Sequence, residues 1–187
     1  MLGNSRHSWG LVSQLLHWII VALVVTQYTL GYYAADLPLG FDKLVTLARH
    51  KSFGMLILAL ATLRLAWRII TPTPELPGGM PAYQRWLARA THWALYGCLF
   101  ALPLSGWIMS SARNYGVSFF NLFQFPDLVV PGEGLHTLSR SVHISLAWVL
   151  AAVIALHVAG ALKHHFIDRD TVLRRMVPFV RSTRGRS

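Results

Sequence analysis

One cysteine, Cys98, stands among 187 residues, so the chain can close no internal disulfide and offers no thiolate cluster to a metal. Charge is also scarce. Asp, Glu, Lys and Arg make up 13% of the sequence, with seven acids against 17 Lys and Arg. An ordinary soluble domain carries about twice that share. No separate soluble domain and no conventional repeat is visible. The apolar run after Arg6 is too long for a signal-peptide core and lacks a small-x-small cleavage site, so it is expected to remain as a helix.

Apolar length is what the chain has in abundance. Hydrophobic residues reach 54% and the mean hydropathy is +0.45. Four stretches, at about 11–33, 44–67, 86–109 and 142–165, each approach the ~20 residues that cross a hydrocarbon core. Trp9, Trp18, Tyr32, Tyr33, Trp67 and Trp86 lie near their ends, as interfacial anchors do. The expectation is all-α: an integral membrane four-helix bundle forming a single domain over 1–187, with a basic tail at 166–187. Cys98, inside the third stretch, is expected to pack. The Pro/Gly-rich 68–85 connection reads as a stiff irregular loop, and the aromatic 110–141 segment is expected to lie along one membrane surface.

Charge orients the bundle. With both termini and the 68–85 connection on one side, that side holds 12 Lys/Arg against three acids; the other holds five, Lys43, Arg49, Lys51, Arg113 and Arg140, against four. The positive-inside rule then places both termini in the cytoplasm. Arg174, Arg175, Arg181, Arg184 and Arg186 suit anionic lipid headgroups, and no nucleic-acid partner is implied.

His143 and His157 are 14 residues apart in the fourth stretch. Fourteen steps of 100° return to within roughly 40° of one helix face, about 21 Å further along the axis. Intramembrane histidines are costly and mark function by default, and imidazole is an axial ligand of haem iron. The same offset relates His17 to Gly31, His50 to Arg64 and His92 to Gly106. With alternating helix directions, His17, Arg64, His92 and His157 share an inner layer. Gly31, His50, Gly106 and His143 share an outer one. Each layer thus offers a ligand pair for one of two stacked haems, with glycines, including Gly54 and Gly160, where a flat macrocycle needs the backbone to recede. His7, His136, His164 and His165 read as interfacial. Arg64 is either an anchor or a haem-propionate partner, and His92 either contacts a propionate or quinone head or simply packs.

LLHW (15–18), ARHKSFG (48–54), RLAWRIITPTP (64–74), ARATHWALY (88–96), ALPLSGWIMS (101–110), RSVHISLAW (140–148) and LHVAGALKHHFIDRDTVLRRM (156–176) together resemble the bacterial cytochrome b561 family over about 10–177. These are di-haem b membrane cytochromes of four helices. The resemblance implies His17 and His157 as ligands of the cytoplasmic-side haem, choosing His17 over His92, and His50 and His143 as ligands of the outer haem. It further implies an oxidoreductase of the inner membrane that passes electrons between the quinone pool, with ubiquinone or ubiquinol as exchangeable substrate, and a periplasmic-side partner. Superoxide and a periplasmic redox protein are both candidates for that partner. The alternatives are a haem-bearing subunit of a larger respiratory enzyme and, further off, a haem-free proton or ion channel.

Overall fold

The computed structural model describes residues 2–6, 8–75 and 79–178. Four helices run through it: α1, Leu11–Asp36; α2, Phe41–Ile70; α3, Ala82–Ser111; and α4, Glu133–Phe166. All four are long and apolar enough to cross a membrane. At 1.5 Å per residue the shortest spans about 39 Å and the longest about 51 Å, so each outreaches a hydrocarbon core of ~30 Å.

The helices exceed the apolar stretches that announce them. The largest excess is at α4, which starts at Glu133 rather than near 142. The segment EGLHTLSRS is too polar for hydrocarbon but still helical, and Glu133 lies in the first turn, where a carboxylate suits the helix dipole.

One element departs from the all-helical expectation. Val117–Phe119 (β1) pairs antiparallel with Phe123–Phe125 (β2), and β1 packs on α2. The turn places Phe120 at φ 49° and Asn121 at φ 61°, a region that costs an aromatic residue energy. Ser52 of α2 offsets that cost. Its buried Oγ accepts the Phe120 N–H at 3.0 Å and donates toward the Ser118 carbonyl at 2.9 Å, while Phe53 meets the Phe120 ring edge-on at 5.1 Å. The aromatic segment is therefore a hairpin pinned to the N-terminal half of α2.

α1 packs chiefly on α2, and α3 on α4, with α2 against α3. Their shared core is small: Ile20, Val24, Ile57, Cys98 and Leu150. Ile57 lies midway in sequence between His50 and Arg64, and Leu150 midway between His143 and His157. The core is thus an apolar layer about 10 Å from each histidine layer. Cys98 is buried in it, as packing requires.

The end carrying both termini is closed by hydrogen bonds. Asn4 holds the Gly10 amide and the Ser13 hydroxyl through Oδ1, and donates to Thr71 Oγ1. Gln14 and Trp18 donate to the carbonyls of Arg175 and Met176. Arg175 reaches the Glu75 carbonyl at 2.9 Å, so this tail residue is bound into the fold. Arg181, Arg184, Arg186 and His7 lie outside the described residues.

Candidate functional site

The two layers read from the 14-residue offset are present. In the inner one the His17 and His157 ring centroids are 6.3 Å apart at 75°, and in the outer one those of His50 and His143 are 6.2 Å apart at 73°. A metal–imidazole bond of ~2.0 Å puts two imidazoles trans on one ion with ring centroids roughly 6 Å apart. Both pairs have that separation. They join α4 to α1 and to α2, whereas its extensive helix packing is on α3. Neutral imidazole is a fitting donor for iron, so each pair can hold a bis-histidine haem.

His92 joins the inner layer but differs in spacing. Its ring centroid is 5.3 Å from that of His157, too close for trans ligation of one ion by these two rings. The geometry thus favours His17 as the partner of His157 and leaves His92 beside the pair.

The outer layer shows why glycine is needed at two positions. A Cβ on Gly31 would stand 3.3 Å from His50 Cε1, and one on Gly106 would stand 3.2 Å from His143 Cε1. These glycines make room for imidazole rings. At Gly54 and Gly160 no histidine ring is the neighbour: a Cβ on Gly54 would stand 3.1 Å from Gln27 Nε2, and one on Gly160 would meet no protein atom within 4 Å.

His143 is held by its second nitrogen. Nδ1 lies 3.0 Å from the Leu102 carbonyl and 3.0 Å from Ser105 Oγ. A carbonyl only accepts, so Nδ1 carries the proton and Nε2 keeps the lone pair that a metal needs. Ser105 was not legible as a site residue, although a signal existed: a glycine at 106 exposes the helix carbonyl four residues earlier, at Leu102.

Basic groups line the inner layer. Arg64 Nη1 donates to the Ser13 carbonyl at 2.7 Å, and its charge lies close to both His17 and His157. Arg64 and Arg68 border a small cavity with Trp9, Ser13 and Tyr96, and the Arg68 guanidinium sits 5.9 Å from the Tyr96 ring centroid. The recess is small, and its two guanidinium groups make it electropositive.

Two histidines expected at the interface are in fact engaged. His136 Nδ1 lies 3.1 Å from the Met109 carbonyl. His164 Nδ1 lies 2.7 Å from Asp170, next to a 2.6 Å Lys163–Asp168 ion pair. At the end of the bundle that carries the hairpin, Arg113 is paired with Glu133 at 2.8 Å, and Lys51 donates to the Tyr115 and Gly116 carbonyls at 3.3 Å. Arg49 and Arg140 remain exposed.

Comparison with known proteins agrees with this architecture. The family model for prokaryotic cytochrome b561 matches residues 8–179. Cytochrome b561 homolog 2 of Escherichia coli (strain K12) is 34% identical over 180 residues, covering 93% of each chain. Cytochrome b561 homolog 1 of the same organism is 29% identical over 164 residues, 87% of this chain and 93% of the relative. A protein named probable superoxide oxidase CybB, of Yersinia pestis, is 28% identical over 163 residues, 87% of this chain and 92% of its own.

Proposed function

Since the chain belongs to the prokaryotic cytochrome b561 family of haem-binding membrane electron-transfer proteins, we propose that it holds two haems b, one per histidine layer, and passes electrons between the quinone pool and a partner at the outer face. The observation that carries this reading is the pair of ring separations, 6.3 and 6.2 Å, at two depths of one bundle.

His17 and His157 ligate the inner haem in this reading, and His50 and His143 the outer. Arg64, aided by Arg68, offers guanidinium hydrogen bonds to an inner-haem propionate, and His92 donates to a propionate or a quinone head. A haem held by two imidazoles supplies a one-electron Fe(III)/Fe(II) couple with no open coordination position. The surrounding side chains therefore bind, orient and insulate, and partners exchange electrons at the edge of the site. The charge asymmetry supports an inner-membrane protein with both termini cytoplasmic. A reporter fused after Ser187 is expected to read as cytoplasmic and one inserted near Pro126 as periplasmic; the opposite pattern contradicts this orientation.

Superoxide at the outer face with ubiquinone as acceptor is the substrate pair we propose. The named role of the Yersinia relative supports it, and exposed Arg49 and Arg140 suit steering of a small anion. Two superoxide anions each give up one electron and leave as dioxygen. Ubiquinone takes both electrons with two protons and leaves as ubiquinol. Purified protein is expected to be reduced by superoxide, reoxidised by ubiquinone and unable to bind carbon monoxide stably. Its reduction rate should fall with ionic strength and several-fold on Arg140→Glu, since screening weakens steering. Stopped-flow spectroscopy checks this. A rate indifferent to salt and to Arg140→Glu argues against steering, and one no faster than spontaneous dismutation removes superoxide. Failure with quinone as well moves the reading to a subunit of a larger respiratory oxidoreductase.

A further inference from the structure

The two outer histidines are held unequally. His143 Nδ1 has two acceptors, the Leu102 carbonyl and Ser105 Oγ, both at 3.0 Å. The Ser105 hydroxyl itself donates to the Leu102 carbonyl at 2.9 Å. Its single proton is thereby committed, and its lone pairs are left to accept the imidazole N–H. His50 has no hydroxyl of this kind: its buried Nδ1 makes no side-chain hydrogen bond, and the group that faces this ring is the Gln27 main chain. Ser105 is 8% exposed, so water is a poor substitute for its hydroxyl.

We infer that Ser105 is a positioning residue for His143, holding its Nδ1–H jointly with the Leu102 carbonyl so as to fix the ring and lower the reduction potential of the outer haem. This rests on the reading that His143 ligates that haem. An acceptor on the remote N–H makes a ligating imidazole a stronger electron donor, and losing such a partner is typically felt 10- to 100-fold in metal affinity or activity. A stronger donor stabilises Fe(III) over Fe(II). The hydroxyl therefore biases the outer haem toward the oxidised form, through the ligand and without touching the iron. Gly106 gives the ring its room, because a Cβ there would lie 3.2 Å from His143 Cε1 and 3.4 Å from Nδ1 and would push the ring by a few tenths of an ångström.

The test is a potentiometric titration of the full-length, haem-loaded protein in three forms: unaltered, Ser105→Ala and Ser105→Thr. Low-temperature electron paramagnetic resonance reports the ligand-plane angle alongside. Ser105→Ala is expected to raise the outer-haem midpoint by about tenfold in its Fe(III)/Fe(II) equilibrium, ~59 mV for a one-electron couple, and to alter only that haem's low-spin signal. Ser105→Thr, which keeps a hydroxyl, is expected to restore both. If Ser105→Ala loses the outer haem while Ser105→Thr keeps it at the native midpoint, the inference stands. Unchanged midpoints in Ser105→Ala overturn it, as do equal shifts of both haems or loss of the outer haem in both variants. His143→Ala separates the two levels of the claim. Retention of both haems in that variant overturns the ligand assignment, whereas loss of one haem there with a silent Ser105→Ala overturns only the role of Ser105.

Discussion

His143→Ala and His50→Ala are each expected to empty one and the same haem site, and His17→Ala and His157→Ala to empty the other. The reason is geometric. Each ring pair stands 6.2 or 6.3 Å apart and belongs to one depth of the bundle, and the apolar core of Ile20, Val24, Ile57, Cys98 and Leu150 lies between the depths. Loss of one axial bond therefore weakens one haem without altering the ligands of the other. Haem per polypeptide should fall from two to about one in every variant, with the same residual spectrum within a pair and different spectra between pairs. His92→Ala, by contrast, should keep both haems, because its 5.3 Å approach to His157 does not suit trans ligation. Haem assay and reduced-minus-oxidised spectra check this. Identical residual spectra for His17→Ala and His50→Ala in folded protein would break the pairing.

Gly106→Val should remove the outer haem almost as completely as loss of a ligand. The Cβ alone would sit 3.2 Å from His143 Cε1, closer than side chains ordinarily tolerate, and valine adds two further methyl groups. Overpacking of this kind costs about 1–3 kcal/mol; the ring must shift to relieve it, and any shift disturbs its hold on Leu102 and Ser105. A loss of outer-haem occupancy of roughly tenfold or more is expected, with the inner haem retained. Gly97 lies on the same helix, exposed, and a Cβ there would meet nothing within 4 Å. Gly97→Val should keep both haems. Equal haem content in the two variants would show that the close approach at Gly106 has no consequence for binding.

What was readable in advance follows from which interactions leave a periodic trace. A membrane helix must satisfy its own backbone, so the four spans announce themselves by apolar length. The 14-residue offset survives because a helix turns at a fixed rate, and it put His50 with His143 in one layer and His17 and His92 with His157 in the other; choosing His17 over His92 took the family resemblance. The Glu133–Arg140 turns of α4 escaped because hydropathy reports only the part of a helix that lies in hydrocarbon. The hairpin did leave a trace, an alternation of Ser118 and Gln124 with apolar neighbours. Its turn, however, places Phe120 at positive φ where glycine or asparagine would be the usual sign, and only the Ser52 hydrogen bond accounts for it. Ser105 escaped for a related reason. Its importance comes from a main-chain carbonyl shared with a residue 38 positions away; Gly106 hints that the Leu102 carbonyl is open, but a sequence carries no mark of which distant group will take it.

The central claim is that two histidine pairs at two depths hold two haems. Its most direct measurement is the haem-to-polypeptide ratio of the unaltered protein purified in mild detergent, by haem assay against quantitative amino-acid analysis. The account predicts two haems b per chain. A ratio of one would leave a histidine pair without its ligand role, and a protein with no Soret absorption would return the intramembrane histidines to the proton- or ion-channel reading.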